Sequence, residues 1–296
     1  MDERTSQQGV QGSSFCFIFG REENRKWTLS LYNAVNGTEY SDENEIEITT
    51  MSDAVYMGMR NDVSFIISDM ISLYEQQSTY NPNMPVRQLM YLARLYDKYI
   101  AKTKQNLYGS KQIYLPVPRL VTFYNGNKNV SDRVLSLKDS FLKNAELSDV
   151  QVNVRLINIG SERNDKLLKL CEPLKEYTYF VEKVRDGVEL DNMSLSEAVD
   201  RALDEMPDDF VLKGFLINNR AEVKNMCLTE YNEAETMQMF KEEGREEGRV
   251  EGVKDGLLYA LRGMMENLDL SIDQAMDALK IPESERDGFR RLLERA

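Results

Sequence analysis

The residue types best suited to catalysis fall in one short stretch, NDVSFIISDMISLYEQQS, at positions 61–78. Its β-branched and aromatic residues predict two short strands, 62–67 and 70–77, with Ser68-Asp69 as the turn between them. A two-residue loop pairs Ile67 with Met70, and counting outward then sets Asp62 opposite Glu75. Strand side chains alternate, so Gln77 shares the face of Asp62 and Glu75. Facing carboxylates repel across a ladder. A divalent cation between them reverses that sign, because hard oxygen ligands suit Mg²⁺. Aspartate on one strand with Glu-x-Gln on the next is the pattern of a metal-dependent nuclease. The plainer reading is a surface hairpin with acidic residues at its open end, and a loop of odd length would undo the pairing.

Composition removes several competing chemistries. Histidine is absent, which excludes Ser-His-Asp and Cys-His catalysis, histidine-ligated zinc and histidine general bases. Hydrolysis here must use carboxylates, metal-activated water, lysine or tyrosine. Cys16, Cys171 and Cys227 are too far apart for a zinc site and too few for a disulfide framework, so buried thiols are expected. A net charge of −13 argues against broad nonspecific affinity for nucleic acid but leaves room for a local basic groove. Without an apolar run of about 18 residues, no membrane span is expected. The opening MDERTSQQGVQGSS lacks a signal pattern, which points to a cytoplasmic protein with a disordered lead-in over 1–14.

The elements that must hold the carboxylates follow from periodicity. Residues 15–20 read as a short strand or the lead into a helix. The next segment, REENRKWTLSLYNAVNG, predicts an amphipathic helix ended by Gly37. Glu22 and Glu23 lie at its start, where they favour the helix dipole. Residues 45–49 alternate as a strand, and 51–59 could form a short helix. Pro85 suits the first turn of a long helix reaching Lys102, with Val86, Leu89, Met90, Ala93, Tyr96, Tyr99 and Ile100 as its apolar face. Arg87, one turn in, lies close to the end of the Glu75–Gln77 strand and could contact phosphate, although a solvated flank is the usual role of such charges.

Strands are expected at 119–124 and 150–159, with Pro116 and Pro118 confining the segment before the first to an edge or a lead-in. Helices follow over 164–186, 194–206 and 210–241, with a capping box at Ser194–Glu197. Gly244, Gly248, Gly252 and Gly256 then recur every four residues among the pairs Glu242–Arg245, Glu246–Arg249 and Glu251–Lys254. This stripe fits either close helix–helix approach in a homo-oligomer or a solvated linker helix. Short helices are expected over 257–296. The sum is an α/β protein with a mixed sheet flanked by helices.

The segments LSLYNAVNGTEY, ITTMSDAVYMGMRNDVSFII, LYEQQSTYNPNMPVRQLMYLARLYDKYI, YLPVPRLVTFYNG and EEGREEGR together resemble the Rpn-type recombination-promoting nucleases, the PD-(D/E)XK nuclease family transposases. The resemblance implies a restriction-endonuclease-like core of αβββαβ order over 15–160, a helical subdomain over 161–240, and a Gly/Glu/Arg repeat helix with a small helical tail over 241–296. It implies DNA as the substrate and Mg²⁺, replaceable by Mn²⁺, as the cofactor. Asp62 and Glu75 match its metal-binding acids, with the carbonyl of Gln76 as a further ligand. Gln77 stands where many relatives carry lysine, and glutamine supplies neither a base nor a charge. A helix-borne glutamate often completes such sites, and Glu23 is preferred to Glu22 for that role. The expected activity is Mg²⁺-dependent cleavage of DNA in recombination or mobile-element processing. The alternative is a degraded nuclease acting as an oligomeric DNA- or protein-interaction module.

Overall fold

In a computed structural model of the chain, residues 13–50, 62–160 and 164–294 are described. The helix expected over 51–59 lies outside them. A six-stranded mixed sheet runs in the order β1-β2-β3-β4-β6-β5. Its strands are β1 (Ile46–Ile48), β2 (Val63–Ile67), β3 (Met70–Gln77), β4 (Val117–Tyr124), β5 (Arg133–Ser136) and β6 (Asn153–Asn158). The hairpin forms in the expected register, with Ile67 facing Met70 and Val63 facing Tyr74. Ser68 takes a positive φ of 51° to make the tight turn. Strands β3 and β4 are parallel and are joined through helix α3 (Met84–Lys102).

Pro118 lies within β4 although β4 is an inner strand. Partner β6 takes up the ladder only from Val121, so the Pro118 segment has an open edge on that side. Strand β5 was not among the expected strands: its four residues, two of them exposed, carry no alternating apolar signal.

Each face of the sheet has its own core. One buries Val63, Phe65, Tyr74, Val121 and Phe123 against α1 (Ser14–Phe19), α2 (Arg25–Asn36) and α5 (Glu172–Glu189). Tyr74 meets Phe65 at 5.3 Å and Phe123 at 5.5 Å between ring centroids, both edge-on. Such pairs contribute about 0.5–1.5 kcal/mol each beyond area burial. Residues 15–20 therefore resolve as helix rather than strand: Ser13 caps α1, and Phe15, Phe17, Ile18 and Phe19 are all buried. Ser13 and Ser14, expected within the 1–14 lead-in, instead cap and open α1, and residues 1–12 of that lead-in lie outside the described residues. Helix α2 ends as expected at Gly37, whose left-handed φ of 67° favours glycine.

The opposite face packs Ile71, Leu73, Leu120, Tyr124, Val154 and Leu156 against α3. The buried side of α3 is Met84, Gln88, Tyr91, Leu92 and Leu95; of the stripe read from the sequence, Leu89 and Tyr96 pack partly against this core, whereas Val86 and Met90 are exposed. The physical reason is Gln88, a polar residue turned fully into the core. It donates to the carbonyl of Val121 at 3.0 Å and to Thr122 Oγ1 at 3.2 Å. A stripe drawn through apolar residues alone rotates away from such a position.

Helices α4 (Asp165–Leu170), α5, α6 (Leu195–Glu205) and α7 (Lys213–Asn218) share the first core, and the Ser194–Glu197 capping box forms. Contacts divide the chain into two compact units at Asn232/Glu233. Helix α8 (Arg220–Leu268) runs unbroken where a helix ending at 241, a repeat helix after it and a separate short helix from 257 were expected. Proline is absent from 208 to 281, and good helix formers carry the helix through its glycines, each costing about 1 kcal/mol. A Cβ at Gly248, Gly252 or Gly256 would meet nothing within 4 Å. The pairs expected along this repeat rest on side chains outside the described residues. Within the second unit, α9 (Ile272–Ala278) and α10 (Glu283–Glu294) contribute to a small core around Leu261, Met276, Ile281 and Phe289. Among the described residues no helix is long and apolar enough to cross a membrane.

Candidate functional site

Extending the hairpin register one step past Val63↔Tyr74 brings Asp62 opposite Glu75. Asp62 lies just outside β2, so side-chain bonds must fix it. Its Oδ2 accepts from the Gln76 backbone N–H at 2.7 Å, and its Oδ1 accepts from Ser13 Oγ at 2.8 Å. The backbone N–H of Asp62 in turn donates to Glu75 Oε1 at 3.1 Å. Glu75 is only 2% exposed and points to the α3 face, next to Thr122. After the turn at 78–83, α3 returns over the end of β3, and Pro85 helps start it there. Arg87 thereby reaches Glu75 Oε2 at 3.3 Å and donates to Tyr91 OH at 3.3 Å.

Burial pushes the Glu75 carboxyl well above the usual glutamate range, and the nearby charge of Asp62 pushes it the same way. Arg87 and the Asp62 N–H pull against this but do not outweigh it. Burial followed by Glu75 raises Tyr91 too, while Arg87 rises on the charges of Glu75, Tyr91 and Asp62 against the cost of its own burial.

Asp62, Glu75 and Arg87 therefore come together. Gln76 offers its N–H to Asp62, and its C=O faces the same edge, since the next carbonyl, of Gln77, points to Asn125 on the β4 side. Gln77 shares the Glu75 face, but its amide nitrogen turns to the Met84 sulfur, and its buried Oε1 has no hydrogen-bond partner. Glu23 stands elsewhere: it is 62% exposed and pairs with Arg21 at 3.3 Å. Among the described residues no three Asp, Glu or Cys side chains converge as a metal-holding group, so neither Glu22 nor Glu23 joins Asp62 and Glu75. The 3-10 turn Glu22–Asn24 that precedes α2 explains this, because it leaves Glu22 and Glu23 exposed and pairs them with Arg25 and Arg21.

Two contributors fall outside the sequence-based expectation: Tyr91 lies off the apolar stripe expected for its helix, and Ser13 lies within the expected lead-in. A serine immediately before an apolar run is a recognisable cap signal, and it could have found Ser13.

In kind, the oxygens present fit a hard divalent cation: two carboxylates, the Gln76 carbonyl and the unpartnered Gln77 Oε1. Two acidic ligands are few, which suits Mg²⁺, an ion that keeps several waters when protein-bound. No protein-family model, curated protein or solved structure matches the chain.

Proposed function

We propose that this chain is a Mg²⁺-dependent DNA endonuclease of the PD-(D/E)XK type, acting in recombination or mobile-element processing. The observation that carries the reading is the convergence of Asp62 and Glu75, beside Arg87, at the open end of the β2–β3 hairpin. The order α2-β1-β2-β3-α3-β4 supports it, being the αβββαβ order that the resemblance implies. A restriction-endonuclease-like core is part of the same proposal.

When bound, the cation supplies Lewis-acid activation of water and neutralises charge developing on phosphate. Asp62, Glu75 and the Gln76 carbonyl would hold it. Asp62 arrives oriented, with both oxygens already receiving hydrogen bonds. Glu75, whose carboxyl burial and Asp62 hold above the usual range, would give up its proton on holding the cation. Gln77 can only donate and accept hydrogen bonds, so its part is to orient. Arg87, whose Nε is buried, would offer its outer guanidinium nitrogens to phosphate oxygens.

The test is Mg²⁺-dependent nicking of supercoiled plasmid. Wild type should nick, and Asp62→Ala and Glu75→Ala should fall to background; nicking that survives both substitutions refutes the assignment. One observation favours the alternative of a degraded, interaction-only module: no third acidic side chain joins the pair among the described residues. Mn²⁺ calorimetry separates the two readings, since a module without catalysis should show no binding that depends on Asp62.

A further inference from the structure

We propose that Ser13 is a positioning residue for the Asp62 carboxylate, an inference that rests on the cation-dependent reading above. Asp62 precedes the first ladder residue of β2, so the sheet alone does not fix its side chain. Among the described residues two bonds hold it, one to each oxygen. Gln76 N–H holds Oδ2 from β3, and Ser13 Oγ holds Oδ1 from across 49 residues of sequence.

The direction of the Ser13 bond is set by α1. Ser13 Oγ accepts from Cys16 N–H at 3.1 Å as the helix cap. A hydroxyl has a single proton to give, and with an N–H already on its oxygen that proton is free to point at the carboxylate. The cap is itself anchored. Next to it, the Ser14 backbone N–H donates to Glu230 Oε1, and Ser14 Oγ lies 3.3 Å from Glu230 Oε2. Phe15 packs against Phe123 at 5.4 Å between centroids, in the strand beside β3. At the other end of α1, a Cβ on Gly20 would lie 3.5 Å from the Asp62 carbonyl oxygen, so the helix closes against the Asp62 backbone as well. Ser13 thus belongs to a rigid fixture aimed at one oxygen of one carboxylate. Removing partners that orient a metal-binding carboxylate typically costs 10–100-fold in affinity or activity.

Three variants of the full chain test this. Ser13→Ala removes the hydroxyl and the cap, Ser13→Gly removes the hydroxyl while remaining a tolerable N-cap, and Ser13→Thr keeps both. Mn²⁺ binding by calorimetry should weaken about tenfold or more in Ser13→Ala and Ser13→Gly, and Ser13→Thr should restore it. The thermal midpoint of Ser13→Gly should stay close to wild type, which separates positioning from folding. In nicking assays kcat should fall with the KM for DNA unchanged. Ser13→Gly binding Mn²⁺ within about twofold of wild type overturns the Ser13 assignment alone, well short of the expected loss. Failure of the wild-type chain to bind Mn²⁺ overturns the cation reading and this inference together.

Discussion

Replacing Glu75 with glutamine should stabilise the chain progressively as pH rises. The folded-state pKa of Glu75 is raised well above its ordinary 4.5, first by burial and then by Asp62. Above about pH 4.5 the unfolded chain has released this proton while the folded chain still holds it. The folded state then binds more protons, so unfolding becomes easier with rising pH, by about 1.4 kcal/mol per pH unit for one full proton. That slope continues until pH passes the folded-state pKa. Glu75→Gln has no proton to exchange and loses the slope. It also deprives Arg87 of its partner, but Arg87 remains charged throughout, so that effect is a constant offset. Urea unfolding of both proteins at pH 5, 6 and 7, with free energies from the midpoint and slope, isolates the pH-dependent part. The difference curve should climb by up to about 1.4 kcal/mol per unit in favour of Glu75→Gln. Millimolar Mg²⁺ should flatten it, because a bound cation favours the ionised carboxylate. Curves for the two proteins that stay parallel across this range would refute the reasoning.

Other perturbations have equally definite outcomes. Gly126→Ala places a Cβ 1.9 Å from the Ser78 carbonyl oxygen, where backbone must move; a loss of about 1–3 kcal/mol in urea unfolding is expected. Gln77→Met removes a buried carbonyl oxygen that has no partner, so stability should change by less than about 1 kcal/mol while plasmid nicking falls. Burial pushes the Cys171 thiol up to about 11 and raises Cys227 too. Ellman's reagent at pH 8 should leave both unmodified in the native protein and react with them in urea.

The hairpin was legible because its signals agree: β-rich residues flank a two-residue turn, and the register follows by counting to Asp62 and Glu75. Arg87 was legible from Pro85, which fixes where α3 begins. Failures occurred where a polar residue does a buried job. Gln88 faces the core and displaces the apparent apolar stripe of α3, hiding Tyr91. Glu23 was chosen on its place beside a helix, but spacing along one segment cannot say which way a 3-10 turn faces. Ser13 contacts Asp62 across a distance in sequence that local patterns do not span. The continuity of α8 across three expected helices was illegible for another reason: glycine weakens a helix without stopping it, whereas proline stops it.

A crystal structure of the chain grown with Mn²⁺, read through the metal's anomalous scattering, tests the central claim most directly. The expected result is a peak held by carboxylate oxygens of both Asp62 and Glu75, absent from crystals of Asp62→Ala. A clean map at that position, with Glu75 still paired to Arg87 and Mn²⁺ bound elsewhere or nowhere, would contradict it.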